Sequence, residues 1–206
     1  ALFAAVEDWA REKGCDQVHG PLGFCDLDRE GMLVEGFDER SMFITYYNHP
    51  YYKDHLSALG YIKDTDWIEN LLVLPGAEGE NAQKLRKLSE WLLKRGGYHK
   101  ADIKSRSQIM AKHIEQVFHL VNKAYAPLYG VVLLTDDQIK KYAKKFLPMV
   151  SPDFLCLVYN KEDELVAFGV CVPSMAEALR RCRGRLFPTG WAHVLRSMKH
   201  NDTLDL

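Results

Sequence analysis

The stretch Gly20–Asp38, GPLGFCDLDREGMLVEGFD, places four glycines and five acidic residues in nineteen positions. Three chemistries fit such a composition. The first is a calcium loop. Asp26, Asp28 and Glu30 fall at loop positions one, three and five, and Gly31 at position six, but position twelve is Phe37 where a bidentate acid is required. The second is a phosphate cradle. It fails because the segment has no Lys-Ser/Thr pair and does not lead into a helix. The third is a glycine-permitted turn of the backbone with solvated acidic side chains, and this reading survives. A second candidate is RRCRGRLFPTGW (180–191), where Arg183 and Arg185, with Arg180 and Arg181, suit the phosphates of a nucleotide or CoA. Basic residues also favour helix C-termini, so a solvated helix end explains the same pattern.

Other chemistries find no support. There is no G-x-S-x-G, no dinucleotide G-x-G-x-x-G and no zinc-like Cys/His spacing. Arg11-x-x-Gly14-x-Asp16 imitates a pyrophosphate loop but closes a helix instead of opening one. His49 and His55, and likewise His113 and His119, are six residues apart and so do not share a helical face; solvated or capping roles are expected for all four. No metal is expected.

These residues must be positioned by regular elements. Leu2, Ala5, Val6, Trp9 and Ala10 mark a helix over 2–13 closed by Gly14. DQVHGPLGF reads as a short strand, and GMLVEGF and SMFITYYN as two extended stretches. Asn48 is the expected N-cap of a helix ending at Gly60, with Pro50 in its first turn. Residues 61–74 read as a long strand with a bulge near Thr65. PGAEGE (75–80) is the linker candidate, followed by a helix with a Leu85, Leu88, Trp91, Leu92 stripe closed by Gly96 and Gly97. YHKADI then reads as a strand and 107–124 as a helix. Thr135 with Gln138 forms a capping box, FLCLVYN and ELVAFGVCVP a hairpin about KEDE, and Ser174 with Glu177 a second capping box. A last helix covers about 190–199, and TLDL begins a strand. The fold class expected is α/β, an α+β arrangement with mixed sheets.

Bulk properties narrow the classes. Hydrophobic content of 47% with 27% charge is that of a water-soluble globular chain. No apolar run approaches the ~20 residues of a spanning helix, so no membrane partner is expected. The opening ALFAAVEDWA has no initiator Met and lies within an amphipathic pattern, which reads as a truncated start. The five widely spaced cysteines read as buried reduced thiols of a cytoplasmic protein. Residues 1–74 carry 6 Lys+Arg and 14 Asp+Glu, net −8, and 75–206 carry 21 and 14, net +7. That asymmetry allows the halves to attract within or between chains, and a homodimer is one outcome. Nucleic acid is not the expected partner, because no helix-turn-helix, RNP or zinc pattern accompanies the basic half.

WAREKGCDQVHGPLGF followed by NHPYYKDHLSALGYIKDTDWIE resembles the back half of a GNAT-type acyltransferase domain, with LGY at 59–61 in place of its LGF. With YNHPYY, YAPLYG and GRLFPTG, the chain is similar over nearly its whole length to a little-studied bacterial family of GNAT-like (N-acetyltransferase-like) proteins with two tandem modules. The resemblance implies that 1–74 is the C-terminal half of a first module, 75–97 a linker and connecting helix, and 98–206 the N-terminal half of a second. It implies acetyl-CoA or another acyl-CoA as donor and a small-molecule amine as acceptor. The acyl-CoA loops themselves would fall before Ala1 and after Leu206.

In the family the crossing at 20–38 lies beside the acceptor site. The resemblance therefore makes Glu30 and Glu35 the candidate bases and Asp26 and Asp28 candidate substrate contacts. A tyrosine four residues before the LGF glycine normally protonates the departing thiolate; here that place holds Leu56. Tyr52 is the candidate replacement, with Tyr51 and Asn48 as substrate contacts. Arg183 and Arg185 are the candidates for CoA phosphates. The alternative to an enzyme is a GNAT-like module that binds a ligand or a second chain without catalysis.

Overall fold

In a computed structural model the chain divides into two compact units, Ala1–Ile68 and Glu69–Leu206. Residues 1–206 are described apart from 24–27, 43–44, 75 and 77, and apart from the side chain of Met110. The described residues form a mixed α/β protein with small antiparallel sheets. None of their helices is long and apolar enough to cross a membrane.

The first unit is built on two helices, α1 (Leu2–Glu12) and α2 (Tyr51–Ala58). Both end the same way. Gly14 and Gly60 take left-handed φ values of 75° and 89°. The following residues close back, Cys15 N–H on the Ala10 carbonyl (2.9 Å) and Tyr61 N–H on the Leu56 carbonyl (3.1 Å). This is the pattern that an αL glycine makes possible at a helix end. Tyr61 also packs its ring on Phe3 at 5.4 Å and donates its hydroxyl to Glu7 (2.9 Å). That bond to a carboxylate raises the Tyr61 pKa.

The expected strands of this unit do not form among the described residues. The described parts of DQVHGPLGF and SMFITYYN, together with GMLVEGF and 61–74, run without ladder pairing. A strand needs a partner for its backbone groups, and Ile62 and Ile68 are 92% and 80% exposed instead of packed on one face. Ala10 is the only buried hydrophobic residue described in 1–68.

The second unit holds α3 (Glu80–Gly96), β1 (His99–Lys100), α4 (Arg106–Gln108), α5 (Ile114–Tyr125), α6 (Asp136–Phe146), β2 (Leu155–Tyr159), β3 (Leu165–Val170), β4 (Val172–Pro173), α7 (Ala176–Arg181), α8 (Gly190–Ser197) and β5 (Leu204–Asp205). A single π turn, Ile109–His113, joins α4 to α5. β1, β2 and β3 pair antiparallel in that order, and β4 pairs antiparallel with β5. The hairpin turns about 161–164 as its sequence predicts, with Asn160 Oδ1 accepting from the Glu162 and Glu164 amides. Thr135 and Gln138 form the expected capping box at the start of α6. Ile109, Phe118, Val121, Leu134, Ile139, Ala143, Leu157 and Tyr159 make the core.

Three expectations are corrected here. Ser174 and Glu177 do not form a capping box: the N-cap of α7 is Met175, and Glu177 turns instead to Arg180 and Arg181. The α3 stripe is not buried, since Leu85, Leu88, Trp91 and Leu92 are all at least half exposed. None of the described cysteines is fully buried; Cys15 and Cys156 are exposed. Small apolar residues need no disulfide or burial when their surroundings leave them at a helix end or on the outer face of a hairpin.

Candidate functional site

In the first unit one side chain joins Leu33 to the segment that precedes α2. Asn48 does this. Its Oδ1 accepts from the Leu33 amide (2.7 Å) and its Nδ2 donates to the Leu33 carbonyl (3.0 Å). A carboxamide carries the same donor and acceptor as a peptide edge, so Asn48 pairs with Leu33 as one residue of a strand would. It is therefore not the N-cap of α2, a role in which Pro50 stands without a side-chain bond. The clamp ties Leu33 to Asn48, fifteen residues apart.

The second tie is aromatic. Phe37 meets Tyr47 edge-on at 6.3 Å, Tyr47 meets His49 at 6.2 Å, and His49 stacks on Tyr51 at 5.5 Å with 12° between the rings. Tyr51 also contacts Tyr52 (5.1 Å) and His55 (5.0 Å). His49 and His55 both touch the Tyr51 ring and both are exposed, in line with the solvated role expected of them. His49 precedes the helix, so helical periodicity does not govern it. Tyr47, Tyr51 and Tyr52 keep 62%, 50% and 45% exposure, which leaves aromatic surface open to a ligand.

The loop glycines have local causes. Gly31 N–H donates to the Pro21 carbonyl (2.9 Å), which closes the loop. A Cβ at Gly23 would collide with the Asp28 side chain, so this glycine serves the chain's own close approach and not a phosphate. Asp26 lies outside the described residues. The Glu35 charge adds to that of Asp66, whose hydrogen bond to Lys63 (2.7 Å) is the main cause of the raised Lys63 pKa. On the same segment the Arg29 guanidinium lies over the Tyr46 ring at 5.5 Å, so a cation already occupies one aromatic face.

The second unit carries a cluster that spacing did not reveal. His113 Nδ1 lies 2.7 Å from Tyr159 Oη, and the Tyr159 hydroxyl donates to Gln116 Oε1 (2.9 Å). That hydroxyl has one hydrogen, so its oxygen accepts from His113 Nδ1–H and the lone pair of His113 rests on Nε2. Nε2 is buried without a partner among the described residues. Burial, and then the Lys112 charge, push the His113 pKa down, and burial pushes that of Tyr159 up. His99 stacks on Tyr159 at 5.8 Å and reaches Asp163 at 3.2 Å. His113 thus stands half-buried at the N-cap position of α5, but its ring makes no cap bond and turns to Tyr159 instead. The available signal was the i, i+3 spacing of His113 and Gln116, which places both on one helical face.

Arg183 and Arg185 are exposed, and among the described residues no hydrogen bond or ion pair engages their side chains. They follow the C-terminal end of α7, where carbonyls project, so the helix supplies no amide cradle beside them. No group of three His, Cys, Asp or Glu among the described residues is arranged to hold a metal.

Comparison with known proteins gives two relatives. The chain is 27% identical over 205 residues to Protein YghO of Escherichia coli, covering 97% of this chain and 49% of that protein. It is 26% identical over 203 residues to a bacterial ceramide synthase of Caulobacter vibrioides, covering 96% and 50%. The chain therefore spans about half the length of these curated relatives. No family model matches it. No solved structure matches it.

Proposed function

We propose that this chain serves acyl-CoA-dependent N-acylation of an amine within a GNAT-like fold, and that the amine is carried on a long-chain lipid. One observation carries the reading: a bacterial ceramide synthase aligns with 96% of the chain. A ceramide is an amide, formed when a long-chain amino alcohol takes an acyl group on nitrogen. The clamped segment of the first unit suits the acceptor side of that reaction. Glu30, Glu35 and Asp28 attract the ammonium, and the open faces of Tyr47 and Tyr51 favour it further. One carboxylate, or His49, removes a proton so that the nitrogen attacks the acyl carbonyl. Tyr52 or Tyr51 returns a proton to the departing sulfur. Acyl-CoA supplies the activated acyl group, and we assign its phosphates to no residue of the described chain.

The test uses full-length protein with a long-chain acyl-CoA and a long-chain amino alcohol, reading thiol release and amide mass together. Amide formation that falls at least about tenfold in Glu30→Gln/Glu35→Gln, with folding retained, is the expected result. A folded sample that releases no thiol and gains no thermal stability from acyl-CoA would remove the proposal.

The exposed α3 stripe favours a second reading, a non-catalytic module that pairs with another chain. It leads to a dimer that loosens with salt, given the −8 and +7 charges of the two parts. A monomer at low and high salt would dispose of it.

A further inference from the structure

The segment after α7 builds a braced tip. Arg183 and Gly184 take φ values of 52° and 72° and turn the chain out of the helix. Gly184 N–H returns to the Leu179 carbonyl (2.9 Å) and Arg185 N–H to the Cys182 carbonyl (2.9 Å). Gly190 is buried against the Arg185 carbonyl so closely that no Cβ fits. Trp191 then holds the loop twice, its backbone N–H on the Leu186 carbonyl (2.9 Å) and its indole N–H on the Pro188 carbonyl (2.8 Å). On this tip Phe187 is 83% exposed. Leu186, Trp191 and Leu195 are about half exposed, the last two one helical turn apart.

The charge around this tip is one-sided. Residues 174–200 hold six Lys and Arg and one acidic residue. That acid, Glu177, is taken by Arg180 (3.1 Å) and Arg181 (2.9 Å). Arg183 and Arg185 keep their charge facing solvent. A second copy docking through the same face would bring like charges together.

We infer that the tip formed by Leu186, Phe187, Trp191 and Leu195, with Arg183 and Arg185 beside it, docks on the surface of an anionic lipid bilayer. A protruding phenylalanine and a tryptophan suit the boundary between headgroups and acyl chains, while guanidinium groups stay with the phosphates. Lack of a ~20-residue apolar run excludes a spanning helix, not a segment lying in the interface. The apolar run Leu71–Leu74 is also exposed but has no Lys or Arg beside it in 64–74 and follows Glu69, so it offers no preference for anionic lipid. The inference does not depend on the acyltransfer reading.

Vesicle flotation of the full chain tests it, using phosphatidylcholine vesicles with and without about 30% phosphatidylglycerol. Binding should need the anionic lipid and weaken with salt. Arg183→Gln/Arg185→Gln should lower the partition coefficient about tenfold, and Phe187→Ser several-fold. Val73→Ser should leave it unchanged. These side chains are exposed, so circular dichroism should show the fold intact. Equal binding to neutral vesicles, or a larger loss from Val73→Ser than from Phe187→Ser, would overturn the inference. So would absence of vesicle binding together with a dimer that Phe187→Ser dissociates, which would assign the face to a protein partner.

Discussion

Asn48 in the first unit and Asn122 in the second each hold both backbone groups of one leucine. Asn122 accepts from the Leu134 amide (2.9 Å) and donates to its carbonyl (2.9 Å), as Asn48 does with Leu33. The surroundings differ. Leu134 is 5% exposed, and its unit packs Phe118, Val121, Ile139, Ala143 and Leu157 as well. Leu33 is half-buried, and its unit shows one buried hydrophobic residue, Ala10, among those described. The same carboxamide therefore extends a packed core in one unit and gathers an open, ligand-accessible surface in the other. Burial and exposure are thus divided between the two units among the described residues.

The contrast can be broken by measurement. Leu157→Ala removes the most deeply buried large side chain described, 1% exposed between β1 and β3. It should cost about 3 kcal/mol, or roughly 10 °C in Tm. A loss below about 1 kcal/mol would mean that the second unit's core is loose. Asn122→Ala strands the amide and carbonyl of a buried leucine, and about 2 kcal/mol should be lost. Asn48→Ala exposes the same groups to water in a half-buried setting and should cost about 1 kcal/mol or less. Equal losses for the two asparagines in denaturant titrations would end the distinction between core and working surface.

What the sequence made legible is what short-range chemistry decides. The Thr135–Gln138 capping box, the glycine closures after α1 and α2 and the turn at 161–164 all involve partners within about one helical turn. Asn48 looked like a cap because Pro50 follows it, yet its partner is fifteen residues back, and nothing local announces Leu33. His113 finds Tyr159 across 46 residues for the same reason. The strand expected at 61–74 failed differently. Periodicity records which face a strand would bury, but none of the described strands pairs with 61–74. In the candidate site, the carboxylates and tyrosines were legible as residue types. Their assembly through Phe37, Tyr47 and His49 was not.

The smallest expected effect is a change of slope. His113 is held neutral by burial and by the Lys112 charge, so its folded pKa lies below the ordinary value of 6.5. Between those two values the unfolded chain binds a proton that the folded chain refuses. Stability is then full above about pH 7 and declines as pH falls through 6.5 toward the folded pKa. Glu177 cannot produce this decline. The hydrogen bonds from Arg181 and Arg180 lower its pKa from 4.5, so its contribution is lost only in a more acidic window. His113→Gln keeps a polar side chain but cannot titrate. Its unfolding midpoint, followed from pH 7.5 down to about pH 5.5, should fall less steeply than that of the unsubstituted chain, whatever the substitution costs at neutral pH. Parallel curves would show that Nε2 exchanges its proton as freely in the folded state as in the unfolded one, and the second unit's core would then be open at the place where its geometry is most closed.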